Sequence, residues 1–256
     1  MLDIFAIPAF TDNYIWTIVN GKEAIVIDPG DAKPVIDTFK EKDLTLTKIL
    51  ITHHHFDHCG GIEELRKRFN VKVFGPEGNH IKGITNPIRE RENIDIFGES
   101  FEAISTPGHT DDQLGYYCGK HAPPILFSGD TLFAAGCGRL FEGTPLQMYD
   151  SLYLYSQLPK ETLIYCGHEY TESNLNFALS VEPKNDRIKK RLEEVKELRK
   201  KNLITLPSTI DIERKTNPFM RCEEDSVCKA ANTYLGKELK TTVDIFATIR
   251  NWKDNY

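Results

Sequence analysis

The chain has 256 residues, 40% of them hydrophobic, with 32 Lys and Arg against 38 Asp and Glu and a formal net charge of -6. Such a length and balance suit an ordinary globular protein with a substantial core. The acidic charge argues against a nucleic-acid partner, and no apolar run reaches the roughly 20 residues of a membrane span.

The opening stretch MLDIFAIPAF lacks a basic leader region. Six cysteines (Cys59, Cys118, Cys137, Cys166, Cys222 and Cys228) are scattered without a paired framework. Together these features read as a cytoplasmic chain with free thiols, and a monomer is expected. Short apolar runs follow one another from the N-terminus: LDIFAI, YIWTIV and EAIVI, the last stopped by Pro29 and Gly30. These are predicted strands. Residues 34–42 carry helical spacing, TKILIT (47–52) reads as a buried strand, and IEELRKRF (62–69) as an amphipathic helix. VKVFGP, IDIF, FEAIST, LGYYC and PILFSGD are again strand-like, so the fold class expected is layered α/β.

Beyond about residue 170 the pattern turns helical, first in NLNFALSVEP and then in RIKKRLEEVKELRKK (187–201), where Leu192, Val195 and Leu198 form a narrow apolar stripe. A last helix is predicted over VDIFATIRNWKD. The charge changes as well: residues 174–256 hold 17 Lys and Arg against 13 Asp and Glu, residues 1–173 only 15 against 25. A domain boundary is therefore expected near Asn174, giving units 1–173 and 174–256.

The densest chemistry lies in THHHFDH (52–58). If the strand TKILIT continues, alternation turns His53, His55 and Asp57 to one side and His54 to the other, and His58 joins through a turn that Gly60 and Gly61 permit. Several imidazoles crowded together repel when charged and need acceptors when neutral, so the cluster points to a cation. Further ligands are expected from strand ends: His109 in TPGHT, Asp130 in ILFSGD and His168 in IYCGHEY. His54, His80 and His121 are left out as structural or surface residues. Five imidazoles and two carboxylates exceed the needs of one tetrahedral ion and argue for two divalent metal ions, one carboxylate being able to bridge them. Such ligands without a thiolate suit zinc, iron or manganese, with zinc the first expectation.

The pattern HxHxDH at 53–58, with His109, Asp130 and His168, resembles the metallo-β-lactamase superfamily. GDTLFAAGCGR (129–139), YCGHEYT (165–171), NPFMR (217–221) and RNWK (250–253) are similar to the glyoxalase II family, the hydroxyacylglutathione hydrolases. The resemblance implies an αββα sandwich followed by a helical substrate-binding unit. It implies hydrolysis of S-D-lactoylglutathione to D-lactate and glutathione, the step that completes methylglyoxal detoxification. It assigns His53, His55 and His109 to one metal and Asp57, His58 and His168 to the other, with Asp130 bridging and Asp57 orienting the nucleophile. Arg139, Phe141, Tyr170, Arg250 and Lys253 match its glutathione contacts, Arg139 where a lysine is usual and Phe141 where some members carry a tyrosine. Arg250 and Lys253 are expected on one helical face, toward the glycine carboxylate of glutathione. The rival on the same fold is a mononuclear iron persulfide dioxygenase.

Overall fold

The computed structural model of the chain describes every residue except Met1 and Asn79. Two six-stranded sheets lie face to face. The first is built from β1 (Asp3–Ala9), β2 (Asn13–Asn20), β3 (Glu23–Ile27), β4 (Thr45–Leu50), β5 (Lys72–Pro76) and β6 (Asn86–Ile88), in that order across the sheet. Its first three strands form an antiparallel meander, after which β3, β4, β5 and β6 run parallel. Parallel neighbours need a crossover. Here α1 (Ala32–Glu41) and α3 (Ile62–Phe69) supply two of them.

The second sheet begins as a meander of β7 (Asn93–Ile96), β8 (Glu99–Ser105), β9 (Leu114–Cys118) and β10 (Ile125–Gly129). A small ribbon of β11 (Leu132–Phe133) and β12 (Gly136–Cys137) follows, then α4 (Pro145–Ser156) leads into β13 (Leu163–Cys166), which pairs parallel with β10. The remaining chain is α5 (Thr171–Val181), α6 (Asp186–Lys200), the edge strand β14 (Ser208–Thr209), α7 (Ile210–Thr216), a 3-10 turn at Pro218–Met220, α8 (Asp225–Leu235) and α9 (Thr242–Asp254).

Period-two alternation divides the strands between three apolar layers. Trp16 and Ile18 of β2, with Phe127 of β10 and Tyr165 of β13, fill the space between the sheets. Ile15 faces the other way, into a layer with Val35 and Phe39 of α1 and Leu65 of α3. Leu126 and Ile164 likewise turn outward, toward Leu152 and Tyr155 of α4, Phe177 of α5 and Phe246 of α9. The architecture is thus an αββα sandwich whose second helical layer carries the C-terminal helices. The sheets are also joined by a hydrogen bond, since the Trp16 indole donates to the Cys166 carbonyl at 2.8 Å.

Two departures from the sequence reading stand out. The strand expected through residue 52 stops at Leu50, and residues 51–55 leave the sheet before a one-turn helix, α2 (Phe56–Cys59). The expected alternation holds for His53, His54 and His55 but not for Asp57. Asp57 and His58 instead lie on α2, which brings them back beneath the loop. Helices α4, α7 and α8 have no counterpart in the sequence reading. In α4 the cue was at the N-terminus, where Thr144 and Gln147 form a reciprocal capping box with Pro145 at the first position. Among the described residues, no helix is long and apolar enough to cross a membrane.

Candidate metal centre

Four chain segments reach the same rim of the sandwich, each just beyond the C-terminal end of a strand. They follow β4 (His53–His58), β8 (His109), β10 (Asp130) and β13 (His168). Glycine makes two of these approaches possible. Gly129 takes φ of +51° at an irregularity in the pairing of β10 with β13, and a Cβ there would lie 2.7 Å from the Thr52 hydroxyl. At Gly30, an added Cβ would fall 1.9 Å from the carbonyl oxygen of Asp57, so only glycine lets the turn after β3 support α2.

The ligand-type atoms converge in two groups. His55 Nδ1 lies 3.2 Å from His53 Nε2 and 3.0 Å from His109 Nε2. In the second group His58 Nε2 and His168 Nε2 are 3.3 Å apart, with Asp57 Oδ2 at 3.5 and 3.4 Å from them. Asp130 stands between the groups. Its Oδ2 is 3.5 Å from His109 Nε2 and 3.3 Å from His168 Nε2, and its Oδ1 is 3.5 Å from His58 Nε2. All seven residues proposed from the sequence are thus brought together. His54 points out of the cluster, its ring nitrogens 3.1 Å from carboxylate oxygens of Asp112 and Glu142. His80 is exposed, and His121 Nδ1 contacts the Pro123 carbonyl.

Several residues that the sequence reading passed over hold these ligands in place. Asp28 accepts from the Thr52 amide and hydroxyl, both at 2.7 Å, and faces His58 Nδ1 at 3.1 Å. Asp12 faces His168 Nδ1 at 2.8 Å, and His109 Nδ1 donates to the Arg139 carbonyl at 2.8 Å. A proton held on Nδ1 leaves the Nε2 lone pair of each ring aimed into the cluster. Asn13 donates to Asp57 Oδ2 at 2.9 Å. Asp28 had a legible signal, because it closes the strand EAIVI just as Asp130 closes ILFSG.

The electrostatics are those of a cation site. Burial, reinforced by the His58 ring, pushes the His53 pKa well below the usual imidazole value. His58 goes the other way: burial opposes its charge, but Asp130, Asp28 and Asp57 outweigh it and raise its pKa well above 6.5. For Asp130 burial also opposes charge, and the His58 and His168 rings overcome it and hold the carboxyl well below its usual range. Asp130 Oδ1 is buried without any hydrogen-bond partner. A buried carboxylate oxygen without a donor is costly unless a cation satisfies it. The donor set therefore fits metal ions, held by His53, His55 and His109 on one side and Asp57, His58 and His168 on the other.

The centre opens into a cleft of about 920 Å³ that reaches the C-terminal helix and is lined by all five expected substrate contacts, Arg139, Phe141, Tyr170, Arg250 and Lys253. Tyr170 stacks on His168 with ring centroids 4.7 Å apart, and Phe141 meets His55 and His109 edge-on. Arg250 differs from expectation. It is only 5% exposed, and its guanidinium binds the Cys137 carbonyl at 2.8 Å and Asp254 Oδ1 at 3.0 Å. Lys253 is more open; burial, with Arg250 and Arg139 nearby, lowers its ammonium pKa to about 8.

A family model described as Metallo-beta-lactamase superfamily matches residues 10–168, and one described as Hydroxyacylglutathione hydrolase C-terminus matches residues 169–256. Among curated relatives, a hydroxyacylglutathione hydrolase of Pseudomonas putida is 46% identical over 100% of both chains. Another, from Photobacterium profundum, is 47% identical with the same coverage. Among solved structures, ETHE1 from Myxococcus xanthus superposes with a TM-score of 0.67 at 25% identity, covering 98% of this chain and 91% of that one.

Proposed function

The chain belongs to the hydroxyacylglutathione hydrolases of the metallo-β-lactamase superfamily, and from that membership we propose that it hydrolyses S-D-lactoylglutathione to D-lactate and glutathione with two divalent metal ions, zinc first among them. The observation that carries this reading is the pair of three-residue ligand groups flanking Asp130, whose buried Oδ1 has no hydrogen-bond partner. His53, His55 and His109 would hold one ion and Asp57, His58 and His168 the other, with Asp130 between them. Such ions acidify a water and polarise the thioester carbonyl.

The chain's own residues do the rest. Asp57, fixed by Asn13, presents a carboxylate beside the reacting water and orients it. Asp28, Asp12 and the Arg139 carbonyl keep His58, His168 and His109 in the tautomer that ligation needs. The leaving group is a thiolate whose parent thiol has a pKa of about 8.5, so it departs without a dedicated general acid. Lys253 and Arg139 supply positive charge in the cleft for the carboxylates of glutathione. Residues 1–173 form the catalytic unit in this reading and 174–256 the helical unit that contributes Arg250 and Lys253. The protein acts as a cytoplasmic monomer, a placement supported by its six free cysteines.

Loss of thioester absorbance on mixing the purified protein with S-D-lactoylglutathione tests the proposal. Hydrolysis that a chelator abolishes and added zinc restores is the expected result. A fully metallated protein that leaves the thioester intact but consumes oxygen with a glutathione persulfide would overturn it in favour of the iron dioxygenase.

A further inference from the structure

The cleft beside the metal centre is lined by three cations, Arg139, Arg250 and Lys253, and among them one acid, Asp254. Asp254 Oδ1 lies 3.0 Å from Arg250 Nη2 and 3.4 Å from Arg139 Nε, so one carboxylate joins both guanidiniums. Its side chain is 35% exposed, and it faces the same space as the cations. We propose that Asp254 is a specificity-determining residue, a carboxylate of the chain itself that competes with a substrate carboxylate for Arg139 and Arg250. The inference rests on the thioesterase reading and adds to it a resident competitor.

Neither side-chain anchoring nor helix stability accounts for an acid at this position. Arg250 does not need Asp254 to hold its place, because the side chain is buried, donates to the Cys137 carbonyl at 2.8 Å and lies over the Phe219 ring at 5.0 Å. Helix chemistry does not call for an acid there either. Asp254 is the last residue of α9, where the dipole favours a cation. Its pairing with Arg250 also runs in the less favourable order, base before acid. Meanwhile Arg250 Nε is buried without a partner, so the guanidinium keeps unspent donor capacity. An incoming carboxylate gains Arg139 and Arg250 only as Asp254 releases them. Thioesters without a carboxylate gain nothing from displacing it, so Asp254 weakens anionic ligands and leaves neutral ones unaffected.

The test is Asp254→Asn in the metal-loaded enzyme, with binding of S-hexylglutathione and of its uncharged N-acetyl dimethyl ester followed by calorimetry, and with KM and kcat for S-D-lactoylglutathione. The variant should bind the thioether roughly fivefold more tightly and show a KM lower by a similar factor at unchanged kcat, as loss of a partly exposed ion pair implies. The diester should bind wild type and variant alike. Weaker or unchanged binding of the thioether, or an equal gain for the diester, overturns the competitor role, the first pointing to a positioning residue or to an acid that holds the substrate ammonium. Asp254→Ser, which has no amide to mimic the carboxylate, must move in the same direction as Asp254→Asn, and an opposite shift also overturns it. A wild-type enzyme that neither binds the thioether nor hydrolyses the thioester sinks the thioesterase reading and this inference with it. Wild type doing both while the variants do not differ sinks the inference alone.

Discussion

Lys253 offers a handle that the metal ligands do not, because its charge changes within reach of ordinary assays. Burial beside two guanidiniums brings its pKa to about 8. In the proposed role the protonated form attracts an anionic substrate, so that attraction is complete well below pH 8 and is lost as pH rises through it. KM for S-D-lactoylglutathione is expected to rise above pH 8 with little change in kcat, the pattern of a contact made equally in ground and transition states. Lys253→Arg keeps its charge throughout this range and should flatten the profile. A profile unaffected by that substitution would remove Lys253 from the substrate site. The seven clustered side chains themselves were readable residue by residue, since each is an unusual residue type at or beyond the end of an apolar run. Their supports were not: Asp12 sits in an ordinary turn and Asn13 opens β2, and only the fold brings them to His168 and Asp57.

At the level of elements, an ion pair reinforces the apolar packing between α5 and the chain around the start of α8. Arg221 Nε and Nη2 donate to the two oxygens of Glu182 at 2.8 and 3.0 Å, and Ser226 adds a third bond. Glu182 has a side-chain exposure of only 3%. Arg221→Ala strands that carboxylate and should cost about 3 kcal/mol in urea unfolding. A loss below about 1 kcal/mol would mean that water replaces the guanidinium. Burial disfavours the Glu182 charge, but Arg221 and Ser226 more than compensate and lower its pKa. Its contribution is therefore present above the unfolded pKa of about 4.3 and fades as pH falls below it. Most strands were legible because their period-two pattern is strong, as in β2. The helix α4 was not, because its apolar residues surround it: Leu146, Tyr153 and Leu154 are exposed while Met148 and Leu152 are buried. The expected division at residues 173 and 174 falls inside α5, a helix that begins three residues after His168.

For the whole molecule, the two halves of the ligand set belong to different sheets. His53, His55, Asp57 and His58 follow β4 of the first, whereas His109, Asp130 and His168 follow strands of the second. Cations bound at the centre therefore stabilise the docked sandwich over its separated layers, by mass action. Chelation should lower the thermal midpoint by several degrees, and an unchanged midpoint would mean that no ion was bound at the centre or that the unfolded chain holds the ions equally well. The same arrangement bears on synthesis. A nascent chain offers His53 to His58 early, and His168 emerges only after every strand of the two sheets but the edge strand β14 has been translated. Half-made protein cannot assemble the centre, so hydrolytic competence doubles as a checkpoint on completed folding.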